Sequence, residues 1–223
     1  MNPGLLITFE GIEGSGKSTQ AALLRDALLN ARIPVSLTRE PGGSPLAERV
    51  RELILLSGEE PMAPGTEVLL FLAARAQHVV GTIRPALERG EVVVCDRFTD
   101  ATLAYQGGGR TIPESFLSSL NDWATGGIKP VRTYLLDVPV ELGLQRASQR
   151  TGDRPDRLER ESRAFFEAVR DRYLDLARRE PERIVVLRGT EPRESLAHQI
   201  WEDIQRVLGR SKAEAQRKPV HES

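Results

Sequence analysis

A single cysteine, Cys95, occurs in 223 residues, so no internal disulfide can form, and zinc sites of the cysteine-rich kind have no ligands to draw on. It ends the apolar run Val92-Val93-Val94-Cys95 and reads as a buried structural thiol rather than a nucleophile. The three histidines, His78, His198 and His221, are scattered, and neither a metal-ligand cluster nor an internal repeat is visible. An excess of one charge is lacking too. Lysine plus arginine number 31 against 32 aspartates plus glutamates, a net charge of -1, which gives no overall attraction to nucleic acid or an anionic membrane. Anion binding is left to local sites. The opening Met1-Asn2-Pro3-Gly4 has no basic segment, and the apolar run behind it stops at Glu10, too short for a signal peptide or a membrane span. These absences predict a soluble, cytoplasmic chain, and no shift in composition divides it into more than one α/β domain.

Against this background residues 11 to 18, Gly11-Ile12-Glu13-Gly14-Ser15-Gly16-Lys17-Ser18, satisfy G-x-x-x-x-G-K-[ST] at every fixed position. Glycines let successive backbone N–H groups turn inward around a polyphosphate, the lysine reaches the outer phosphates, and the final hydroxyl suits Mg²⁺. The flanks agree with that chemistry. The run Leu5 to Phe9 predicts a strand, and Gln20 to Leu29 has helical character, so that a helix N-terminus adds its positive end to the cradle. The nucleotide-phosphate set is therefore Gly11 to Ser18 with Thr19.

Four further strands are expected at Val35–Thr38, Val92–Cys95, Thr133–Val138 and Ile184–Leu187, alternating with helices as parallel sheets with right-handed crossovers require. Arg39-Glu40-Pro41-Gly42-Gly43 follows the second strand at the edge where open parallel sheets keep ligands, with a solvated turn as the plain alternative. A helix from about Thr66, read as its N-cap, is apolar on all sides over Val68–Ala74, which implies burial in the core or against another subunit. Within it Phe71 and Arg75 share a face, either to hold a heterocyclic base or as core and rim. Asp96 follows an all-apolar strand, where phosphate-loop proteins place a carboxylate that helps hold Mg²⁺. The three glycines of Tyr105-Gln106-Gly107-Gly108-Gly109-Arg110 signal close backbone approach or a hinge. Arginines recur from 146 to 163 around Thr151-Gly152-Asp153-Arg154-Pro155-Asp156, either as an ion-paired solvated face or as a lid.

Taken together, the phosphate loop, Thr38 to Gly43, Phe71 to Arg75, Asp96-Arg97-Phe98, Tyr105 to Arg110 and the arginine-rich 150 to 157 segment resemble bacterial thymidylate kinases over residues 5 to about 208. The resemblance implies a P-loop nucleoside monophosphate kinase fold: three layers, with a five-stranded parallel sheet of order 2-3-1-4-5 flanked by helices. It would occupy residues 1 to 209, with a short lid at about 148–159 and a disordered tail at 210–223. The resemblance further implies ATP as donor, dTMP as acceptor, Mg²⁺, and a homodimer with neither nucleic-acid nor membrane partners. Residue by residue, it assigns Lys17 to the ATP phosphates, and Ser18, Glu40 and Asp96 to the metal. Glu13 would meet the acceptor's 3′-hydroxyl, Arg39 and Arg97 its phosphate, Phe71, Arg75 and Gln106 the thymine base, and Thr102 and Tyr105 the rest of the nucleoside. Some relatives carry a basic residue where this chain has Gly14; the lid arginines Arg150 or Arg154 would then supply the missing charge. The rival readings are a kinase for another pyrimidine monophosphate, and a nucleotide switch of the GTPase kind, which would need an Asn-Lys-x-Asp string that is absent.

Overall fold

A computed structural model describes residues 4–56, 60–151 and 156–217, without the side chains of Arg150, Thr151 and residues 210–217. Five parallel strands form one sheet: β1 (Leu5–Glu10), β2 (Val35–Arg39), β3 (Val92–Asp96), β4 (Arg132–Asp137) and β5 (Ile184–Arg188), in the order β2-β3-β1-β4-β5. All five strands fall within a residue or two of their sequence-predicted positions. The central strands are continuous apolar runs because helices cover both faces: β1 is buried throughout, and Val92 to Cys95 of β3 likewise. Burial pushes the Cys95 thiol well above its ordinary pKa, the expected state of an inert core thiol.

The helices are α1 (Lys17–Asn30), α2 (Pro45–Leu55), α3 (Pro64–His78), α4 (Arg84–Glu88), α5 (Thr99–Thr102), α6 (Glu114–Thr125), α7 (Val140–Thr151), α8 (Arg163–Arg179) and α9 (Arg193–Arg217). One core lies between the sheet and α1 and α9, built on Phe9, Leu28, Tyr134 and Ile204. A second packs α8 against Leu135 and Val138 through Phe166, Val169 and Tyr173. Among the described residues no helix is long and apolar enough to cross a membrane.

Two local readings are corrected and a third is narrowed. Thr66 is not a cap: α3 starts at Pro64, whose lack of an N–H costs nothing in a first turn, with Ala63 ahead of it. Its apolar stretch is core on one side only: Val68 and Leu72 are buried while Leu69 is 65% exposed, so of the two expectations, core and subunit contact, core accounts for only part of the stretch. The closing helix does not stop at residue 209, beyond which the sequence predicts a disordered tail. It runs to Arg217, because Ala213-Glu214-Ala215-Gln216-Arg217 are strong helix formers that need no packing pattern to continue a turn already formed.

The three glycines lie in a wide helical turn of π type, Leu103–Gly109. Close approach is the reason for two of them: a Cβ on Gly109 would meet the Phe165 ring at 2.3 Å, and one on Gly108 would meet the carbonyl of Ala168 at 2.9 Å. That contact seats the turn on α8, with Tyr105 reaching Glu13 in the loop after β1 and Gln106 reaching Glu67 on α3.

Candidate active site

Because β1 and β3 are parallel neighbours, with Phe9 level with Asp96, the loops leaving them emerge side by side at one edge of the sheet. The loop after β1 is the glycine loop. Its Lys17 is 6% exposed and donates to the carbonyl of Ile12 (2.7 Å) and to Ser15 Oγ (3.2 Å). Burial, and then the positive charge of Arg97, lower its pKa to about 8. Gly14, Ser15, Gly16, Lys17, Ser18 and Thr19 line one side of a cleft, which Arg146, Gly189 and Arg193 close from the other. Ile12 offers its carbonyl while its side chain is core.

Gly14 explains an absence noted in the sequence. It has φ +68°, and a Cβ there would stand 2.1 Å from the carbonyl oxygen of Gly143 on α7. The loop thus rests on α7 by a glycine-to-glycine approach that admits no side chain at position 14. A basic residue is excluded there, and α7 itself carries Arg146 and Arg150.

A second cleft opens on the other side of the loop, lined by Glu13, Glu40, Phe71, Arg75, Arg97, Thr102, Tyr105 and Gln106. The structure thus brings together seven of the eight residues expected at the acceptor. Glu13 accepts from Arg97 Nη2 (2.9 Å) and from the Tyr105 hydroxyl (2.7 Å), and the Arg97 guanidinium lies 4.9 Å over the Tyr105 ring. Arg97 has φ 71°, a left-handed backbone that a non-glycine residue keeps only when its surroundings impose it. The imposing contacts are its N–H to the carbonyl of Phe9 (2.9 Å) and its Nη1 to the carbonyl of Gly11 (2.9 Å).

Arg75 is 1% exposed. It donates to Glu40 (2.7 Å), Thr102 Oγ1 (2.7 Å), Asn121 Oδ1 (2.6 Å) and the carbonyl of Phe98 (2.8 Å). Four of its five N–H groups are thereby committed, and one Nη2–H remains for a ligand. Phe71 is half-buried beside it on the cleft wall, neither plain core nor rim.

Two expected residues stand apart from the groups assigned to them. Arg39 is absent from this cleft; its side chain is 49% exposed and pairs with Glu48 (3.0 Å) over the neighbouring groove that Ser18 and Asp96 also line. Glu40 does not reach the Ser18–Asp96 pair. It gives one oxygen to Arg75 and the other to His78 Nδ1 (3.0 Å), because a buried guanidinium needs a buried counter-charge more than a surface-edge cation does. Ser18 Oγ does donate to Asp96 Oδ2. A hydroxyl and a carboxylate at the end of the phosphate loop suit Mg²⁺, which takes one or two protein oxygens and completes its shell with phosphates and water. Arg154 lies outside the described residues, and Arg150 is placed on α7 by its backbone alone.

Several contributors escaped the sequence reading. Glu10, fully buried at the end of β1, accepts from the N–H of Phe98 (2.7 Å) and the hydroxyl of Tyr173 (2.7 Å), so it ties the Arg97 turn to the strand; burial, and then Asp100, raise its pKa. Glu67, His78, Asn121 and Arg146 were likewise unassigned. Glu10 was legible in one respect: a carboxylate closing an apolar strand needs a buried partner.

The family model for thymidylate kinase matches residues 9–200. A thymidylate kinase of Pseudomonas fluorescens is 54% identical over 195 residues, 87% of this chain and 90% of its own length. One of Symbiobacterium thermophilum is 48% identical over 206 residues, 92% and 95% of the two chains. The crystal structure of thymidylate kinase from Ehrlichia chaffeensis superposes with a TM-score of 0.73 at 33% identity, covering 91% of this chain and 99% of that one.

Proposed function

We propose, on the premise that this chain belongs to the thymidylate kinase family, that its two clefts receive ATP and dTMP and that the glycine loop between them is where the phosphoryl group passes. The chain is an ATP-dependent dTMP kinase, a phosphotransferase that forms dTDP. One observation carries the assignment of the clefts. Consecutive residues of a single loop face opposite ways, Gly14 to Ser18 into one cleft and Glu13 into the other, so donor and acceptor phosphates meet across the loop.

Phosphoryl transfer asks for positioning and charge neutralisation rather than covalent chemistry. Lys17 and the loop amides hold the donor phosphates. Arg97, oriented by Glu13 and its own strained backbone, grips the acceptor phosphate, while Glu13 meets the sugar hydroxyl. Phe71 stacks on the base and the spare Arg75 N–H donates to a base carbonyl. Ser18 and Asp96 would hold Mg²⁺, which draws off charge from the phosphates between which the bond breaks. Arg150, in the last turn of α7, or Arg154 after it completes the charge balance, since Gly14 cannot.

The chain acts as a homodimer in this reading. Leu69 on α3 and Phe116 and Trp123 on α6 are 65%, 56% and 79% exposed, on two helices that share one apolar cluster. Large apolar groups concentrated on packed neighbours fit a second copy of the chain.

Coupled ADP release measured with dTMP, dUMP, UMP, dCMP and AMP tests the whole. ADP should appear fastest with dTMP and only marginally without an acceptor. Equal rates across the panel, or ATP hydrolysis that ignores it, would overturn the reading.

A further inference from the structure

Glu67 is 0% exposed in the first turn of α3, four residues before Phe71 and eight before Arg75, on the face that meets the acceptor cleft. It lies below the cleft rather than in it. A buried carboxylate persists only with partners. Glu67 has three: Gln106 Nε2 at 2.8 Å, Arg110 Nη2 at 3.0 Å and Arg157 Nη1 at 2.6 Å. Although burial works to raise its pKa, the hydrogen bonds from Arg110, Gln106 and Arg157 hold it below the ordinary value, so the group is ionised and can only accept.

That has a consequence one shell inward. Gln106 is 1% exposed and lines the cleft. Against an acceptor-only neighbour its amide must turn the NH₂ toward Glu67, which leaves the carbonyl oxygen for whatever occupies the cleft. Beside it Arg75 has one N–H left, the other four being committed. Arg75 and Gln106 together therefore offer a bound base one donor and one acceptor.

We propose that Glu67 is a positioning residue which fixes the Gln106 amide and so makes the cleft read a ring N–H beside a carbonyl, the edge of thymine and uracil, against the amino group and bare ring nitrogen of cytosine. This rests on the reading of the cleft as the base site. A flipped amide would put a donor against the ring N–H and an unpaired carbonyl elsewhere, whereas cytosine would then fit better. Sites built on hydrogen bonds discriminate because the wrong ligand leaves buried groups unpaired.

The test is steady-state kinetics of wild-type, Glu67→Gln and Glu67→Asp enzymes with dTMP and dCMP, folding being checked by circular dichroism. A glutamine at 67 both donates and accepts, so it frees the Gln106 amide. The ratio of kcat/KM for dTMP over dCMP should fall about tenfold or more in Glu67→Gln, through KM rather than kcat. Glu67→Asp keeps the charge and should retain most of the ratio. A Glu67→Gln enzyme that loses activity on both substrates equally, with the ratio unchanged, overturns the proposal. If Glu67→Gln does not fold, Glu67→Ala, which also removes the acceptor facing Gln106, decides by whether the ratio falls. If neither folds, Glu67 is a structural anchor and the proposal fails. A wild-type enzyme that does not prefer dTMP to dCMP would instead refute the base-site reading itself.

Discussion

Lys17 should make ATP binding depend on pH above about pH 8. In the free protein its ammonium is 6% exposed and faces Arg97, and its pKa is lowered from 10.5 to about 8. The fold thus penalises the charged form by roughly 3 kcal/mol, taking about 1.4 kcal/mol per unit. A bound triphosphate reverses that balance, because its oxygens replace water as partners of the ammonium. The complex then holds a proton that the free protein gives up above pH 8, so binding takes up a proton and weakens as pH rises. The apparent Kd for ATP should be flat below about pH 7.5 and rise about tenfold per unit beyond 8, with uptake approaching about 0.9 proton near pH 9. Titration calorimetry in two buffers of different ionisation enthalpy, at constant Mg²⁺ and without dTMP, reads both quantities. Lys17→Ala should bind more weakly with a flat profile. A wild-type Kd that stays level to about pH 9.5 with no proton uptake would refute the reasoning, since it would mean the ammonium is fully charged before ATP arrives.

Phe71→Ala should raise the dTMP Kd by the equivalent of about 1–3 kcal/mol while thermal unfolding barely moves; a collapse of Tm with unchanged Kd would make Phe71 core instead. Gly109→Ala drives a methyl into the Phe165 ring, and overpacking of about 1–3 kcal/mol should lower Tm by roughly 2–4 °C per kcal/mol for a chain of this size; an unchanged Tm would show the ring can yield. Arg150→Ala and Arg154→Ala, measured separately at saturating substrates, should identify one enzyme whose kcat falls by about 10³ to 10⁵ with little change in substrate affinity, and two near-normal enzymes would dismiss the lid arginines. Sedimentation at micromolar protein should give the mass of two chains, and Trp123→Glu should reduce it to one; a wild-type monomer would leave the exposed apolar face of α3 and α6 without its assigned partner.

What the chain's local order determined is what depends on near neighbours. The phosphate loop was legible because its glycines, Lys17 and Ser18 act within eight residues, and the strands because an apolar run of five or six residues has few other uses. The same holds for the placement of Phe71 and Arg75 on one helical face. The acceptor residues as a set came from resemblance, not from pattern, since Glu13, Arg97 and Tyr105 are joined only after β3 docks beside β1 and the wide turn docks on α8.

Tertiary structure alone decided how each charge is spent. The family resemblance put Glu40 at the metal, but Arg75, 35 residues away, claims it. Arg39 stands next to Glu40 in sequence yet turns to Glu48 at the surface, since alternate residues at a strand end point to opposite sides. Glu67 carries no signal in the sequence beyond its place near the start of a helix, and only the fold brings Gln106, Arg110 and Arg157 to it. Gly14 read as a missing positive charge until Gly143 stood against it. The physical reason is the same in each case. Periodicity and turn chemistry are set by bonds along the chain, but the partner of a buried charge is set by desolvation, and a charge pairs with whatever the fold brings within reach once water has left.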